Sequence, residues 1–74
     1  MSSVRIKAIY NNFKDGESLT DDDVRVLHDH MKTTYDYTVH IPEFRLVAND
    51  AWNVYNRLAD IIKARAERAE LIKG

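Results

Sequence analysis

Tyr10, Tyr35, Tyr37, Trp52 and Tyr55 carry rings able to stack on bases, and Lys32 and Arg57 carry charge able to meet phosphates. Asn11, Asn12, Asn49, Asn53, Asn56 and Thr34 can read hydrogen-bonding edges beside them. Together they suit an anionic, ring-bearing ligand. Each also has a plainer reading. Tyr10 and Tyr55 lie on apolar stripes, where tyrosines commonly serve a core, and Trp52 suits an interface anchor. Asparagine is a mediocre helix former, so its recurrence on two predicted helices needs a reason. Polar seams between subunits supply that reason as well as a ligand does.

Catalysis has no comparable set of residues. His28, Asp29 and His30 are adjacent, but neighbouring positions on a helix diverge, so they make neither a proton relay nor a metal pair. His40 stands apart, and the chain has no cysteine for a thiolate site or a disulfide. Both glycines are isolated, which excludes a glycine-rich phosphate loop, and no zinc-protease or serine-hydrolase motif occurs. The expectation is a protein that is not an enzyme and carries no cofactor and no metal.

Eleven Lys and Arg against twelve Asp and Glu leave a formal charge of −1, which argues against a nucleic-acid coat or a polybasic membrane anchor. The charge is unevenly spread. Acids crowd residues 14–36, whereas Arg57, Lys63, Arg65, Arg68 and Lys73 lie towards the other end. Head-to-tail pairing of subunits and ordinary solvated faces both account for that. No stretch reads as a signal peptide or a membrane span, so a soluble, cytoplasmic protein is expected.

The elements that position these residues are helical. Residues 3–15 place Ile6, Ile9, Tyr10 and Phe13 on one side, and Gly16 ends the segment. Thr20 then reads as an N-cap, with Asp23 in a capping-box position and Leu19 and Val24 as a staple. Asp21, Asp22 and Asp23 sit where a helix dipole favours negative charge, so the triplet reads as a helix start. Three acids at a leading end would also face phosphates, which excludes a DNA-recognition helix. The second helix, 20–38, should weaken through Thr33, Thr34, Tyr35, Tyr37, Thr38 and Val39. Pro42 suits the first turn of a third helix, 42–72, antiparallel to the second.

That third helix carries two apolar seams, one through Phe44, Val47, Ala51, Val54, Leu58 and Ile61, the other through Ala48, Tyr55, Ile62, Ala66 and Ala69. One partner helix does not cover both. A single domain of 74 residues is marginal without further support. The expected architecture is all-α and oligomeric: a short N-terminal helix, then an antiparallel hairpin with a long second arm. Trp52, Tyr55, Leu58 and Ile62 are the expected subunit interface.

Leu19-Thr20-Asp21-Asp22-Asp23-Val24, followed by Leu27, His28 and Lys32-Thr33-Thr34, resembles the second-helix pattern of the phage anti-CBASS sponge family, whose helical hairpin some anti-Thoeris sponges share. The resemblance implies that Tyr10 and Asn11 contact the ligand, Tyr10 by stacking, and that Lys32 and Thr34 hold its phosphates. It further implies a homo-oligomer, hexameric in that family, that sequesters cyclic di- or trinucleotide signals in an infected bacterial host without cleaving them. Two other readings stand beside it. One is a small helical inhibitor or accessory protein that docks on a host protein through Trp52 and Tyr55, and the other is a structural assembly element that binds no small molecule.

Overall fold

The fold is given by a computed structural model that describes residues 3–73, with side chains over residues 4–70. Its helices are α1 (Ser3–Lys14), α2 (Asp21–Thr38) and α3 (Arg45–Lys73), and a single 3₁₀ turn, Pro42–Phe44, precedes the last. No strand occurs among the described residues.

The punctuation is local and follows the sequence. Gly16 takes φ +78°, its N–H donates to the Phe13 carbonyl at 3.2 Å, and the Glu17 N–H donates to the Asn12 carbonyl at 2.9 Å. This is the Schellman arrangement, which closes the open carbonyls of α1 and needs a residue that tolerates positive φ. Thr20 caps α2 by accepting the Asp23 N–H at 3.1 Å. The reciprocal half of a capping box is not used, because the Asp23 carboxylate accepts from Arg5 at 3.3 Å instead. Thr20→Ala should therefore cost about 1 kcal/mol in an unfolding titration, the worth of a single cap.

The poor helix formers at the end of α2 do not fray it. Thr38 is buried and its hydroxyl donates to the Thr34 carbonyl, while the Tyr35 ring packs on Trp52. Packing overrides weak propensity here. The break comes at His40 as expected, but Pro42 opens the 3₁₀ turn, so regular α-helix begins only at Arg45.

α2 and α3 run antiparallel, as their contacts show in descending register: Tyr35 meets Trp52, His28 meets Tyr55, and Asp21 meets Arg65. α1 lies against this hairpin. Ile9 joins Leu19, Val24, Leu27, Met31, Ala51, Val54 and Leu58 in one core. Leu58, expected at a subunit interface, is fully buried in that core, because α1 and α2 of the same chain enclose it. The first seam is thus covered from Ala51 to Leu58 and partly at Ile61. Phe44 and Val47 at its start are exposed, and on the second seam Ala66 and Ala69 are exposed as well.

The acidic start of α2 meets two cations of its own chain. Arg5 bridges Asp22 at 2.7 Å and Asp23 at 3.3 Å. Arg65 pairs with Asp21 and donates to the Leu19 carbonyl at 2.7 Å. That second bond ties α3 to the loop before α2, where the Leu19 carbonyl has no helical partner of its own. No helix of the described residues is long and apolar enough to cross a membrane.

Candidate functional site

The most organised surface is a strip of rings along the line where α2 meets α3. His28, Lys32 and Tyr35 follow i, i+4, i+7 spacing on α2, and Trp52 and Tyr55 are three apart on α3, so each set shares a helix face. His28 stacks on Tyr55 at 4.4 Å between ring centroids, Tyr55 on Trp52 at 5.6 Å, and Trp52 meets Tyr35 at 4.7 Å in a tilted geometry. Four rings therefore run continuously over the seam. Such pairs add about 0.5–1.5 kcal/mol each beyond their buried area, which favours the rings staying in contact.

Within the strip the burial is graded. His28, Tyr35 and Tyr55 are half-buried, whereas Trp52 is 40% exposed. Its neighbours hold it by two ring contacts and leave a large apolar face to solvent. Lys32 lies one turn beyond His28 on α2 and is exposed, with its ammonium on both Asp36 oxygens at 3.0 and 2.8 Å. Those hydrogen bonds, then the carboxylate's charge, raise the Lys32 pKa above its ordinary value, and Tyr55 and Tyr35 add smaller contributions. The lysine stays charged, with its charge partly answered by its own helix.

The other residues expected at a ligand lie elsewhere. The Tyr10 hydroxyl donates to Asp50 at 2.9 Å, and Lys14 sits 5.3 Å from the centre of the Tyr10 ring. Asp50 and Trp52 are two apart on α3 and so about 200° apart around it. Tyr10 and Lys32 therefore occupy different sides of the hairpin. Asn11 is exposed, and Thr34, half-buried, is likewise two positions from Lys32 and points away from it. Arg57, a candidate phosphate partner, lies 5.0 Å from the Phe13 ring centre and braces α1. Of the expected interface residues, Tyr55 and Trp52 belong to the strip, while Ile62 is half-buried further along the hairpin.

Tyr10 has a titration consequence. Burial first, then its hydrogen bond to Asp50, raises its pKa. The folded state thus favours the neutral phenol, so this contribution is complete below the ordinary tyrosine range and is lost as pH rises through the raised folded value. Tyr10→Phe should be less stable than the parent at neutral pH and should lose stability less steeply above about pH 10, read as unfolding midpoints across a pH series.

The sequence singles out three of these rings separately, Tyr35, Trp52 and Tyr55, and does not show that His28 joins them. The signal was present in the His28, Lys32, Tyr35 spacing. A groove of about 390 Å³ beside Ile6, Arg25, Val26, His30 and Thr33 lies away from the strip and holds none of its residues. Among the described residues no group of His, Asp and Glu is placed to hold a metal ion. No protein-family model, curated protein or solved structure matches the chain.

Proposed function

We propose that this chain works by binding, and that its binding face is the strip centred on Trp52, docked on a protein partner as a small helical inhibitor or accessory protein would be. One observation carries the reading: Trp52 is 40% exposed yet braced by Tyr35 and Tyr55. A large ring held in place before binding loses little conformational freedom on docking, which is the property of an interface anchor. Asn53 and Asn56, both exposed on α3, supply a polar rim. The test is a photo-crosslinking residue in place of Trp52 in cells that make the protein. A discrete conjugate with one other protein supports the reading. Conjugates only between copies of this chain, or none, reject it.

A second reading keeps the ligand that the second-helix resemblance implies, a cyclic di- or trinucleotide sequestered without cleavage. It is favoured by the position of Lys32, an exposed cation that shares a face of α2 with His28 and Tyr35 of the strip. Because Tyr10 and Lys32 lie on different sides of one hairpin, this reading needs a homo-oligomer in which Tyr10 and Asn11 of one subunit complete the site at Lys32 of another, with Thr34 of that subunit turned away from it. Trp52 is the chain's one tryptophan, so its fluorescence reports directly on the strip. Saturable quenching by a cyclic dinucleotide or trinucleotide, abolished by Lys32→Ala, supports sequestration. An unchanged signal across both classes rejects it.

A further inference from the structure

α1 covers one side of the hairpin, where its side chains reach Asp22 through Arg5, Asp50 through Tyr10 and Arg57 through Phe13. On the other side the strip continues past its rings. Arg25, His28, Lys32, Tyr35 and Val39 follow alternating steps of three and four on α2, and Trp52, Tyr55, Ala59, Ile62, Ala66 and Ala69 do the same on α3. Each row keeps one face of its helix, at the spacing of a coiled-coil seam. Where the rings stop, a hollow of about 220 Å³ opens between the two rows, lined by Val24, Arg25, Ile62, Ala66 and Ala69, with the Asp21–Arg65 pair at its edge. No residue of α1 lines it. Strip and hollow thus form one groove, and from Trp52 to Ala69 it runs about 25 Å.

Its shape and its charge both bear on the occupant. Two neighbouring rows of this period offer regularly spaced holes to a third row of the same period, which an α-helix carries and an extended segment does not. Along the rims, Arg25 and Lys63 are exposed, and neither takes part in an ion pair among the described residues. The acids beside them are engaged or turned aside. Asp36 is held by Lys32, Asp29 lies 3.4 Å from the His28 ring, and Asp60 is one position past Ala59, about 100° further round α3. The rim charge left to answer is therefore positive on both helices. Two copies meeting through this face would set those cations against each other, whereas a segment with acidic flanks is complementary to them.

We infer that the element received by this groove is a single amphipathic α-helix of a different protein, its apolar stripe on Trp52, Tyr55 and Ile62 and its acidic flanks towards Arg25 and Lys63. The inference rests on the reading that Trp52 docks on a protein, and adds which kind of segment docks and along what line.

Photo-crosslinking residues placed one at a time at Trp52, Ala59 and Ala66, with the conjugated peptides sequenced, test the line of docking. These positions are seven apart on one face. All three should capture the same protein, at points about seven residues apart in one continuous segment, since a helix alongside rises at the same rate. Capture from Trp52 alone, or points scattered over separate segments, overturns the helix while leaving the docking reading in place. No conjugate from any position, or conjugates only between copies, overturns both. A second arm reads the charge with the protein recovered through Trp52. The double variant Arg25→Glu, Lys63→Glu alters only exposed positions, so its helical circular dichroism should be unchanged. It should bind at least about fivefold more weakly at ~50 mM KCl, and raising KCl to ~500 mM should weaken the parent complex but not the variant's. A complex indifferent to both reversals overturns the acidic flanks.

Discussion

Leu58→Ala should cost about 2–5 kcal/mol of folding stability, whereas Leu46→Ala on the same helix should change it by no more than about 0.5 kcal/mol. The two leucines differ only in surroundings. Leu58 is fully buried among side chains of all three helices, and Leu46 is 80% exposed. Truncating the first removes buried methyl groups and leaves a cavity that helices on two sides hold open, while truncating the second returns apolar surface that water already touched. A 74-residue domain has about 4–11 kcal/mol to lose, so Leu58→Ala should leave the chain partly unfolded at moderate temperature. Urea titrations followed by circular dichroism, at one chain concentration for both variants, give the comparison. Equal costs at the two positions would mean that α1 does not dock where the fold places it.

Trp52→Ala should weaken the proposed partner complex at least about thirtyfold, ~2 kcal/mol, while lowering folding stability by about 1 kcal/mol. Within the chain the indole contributes its contacts with Tyr35 and Tyr55, and 40% of its surface is turned outward. Its larger contribution is therefore reserved for whatever covers that face. Lys32→Ala should leave the same complex within about threefold, because an exposed ion pair contributes little. A cyclic nucleotide ligand reverses the order, with Lys32→Ala the more damaging change. Calorimetric titration of the photo-crosslinked partner, and of the cyclic nucleotides, against both variants reads the order directly.

The three acids Asp21, Asp22 and Asp23 show where local reasoning holds and where it stops. That they begin a helix was legible, because a cap and a dipole act over one turn, and Thr20 with its three followers contains everything needed. Which cations answer them was not legible. Arg5 reaches forward over 17 positions and Arg65 back over 44, and nothing in the spacing of charges distinguishes a partner in the chain from a partner in another subunit. The same holds for Leu58, whose place on an apolar seam is plain from periodicity, while the helix that covers the seam at that height is not.

The strip repeats the lesson for function. Tyr35, Trp52 and Tyr55 are visible in the sequence as residues able to stack, His28 is not, and the resemblance of the second helix draws Tyr10 towards Lys32. Only the register between α2 and α3 aligns His28 with Tyr55 and Tyr35 with Trp52, and only the docking of α1 puts the Tyr10 hydroxyl on Asp50. By itself the sequence determined three helices, the end of the first at Gly16 and the start of the second at Thr20, because caps, dipoles and fixed dihedrals act within a few residues. Pro42 marked the turn before the third without showing that regular helix waits until Arg45. The tertiary structure decided which rings meet, which charges are answered and which part of the long helix stays uncovered, because those depend on packing between segments up to 46 positions apart.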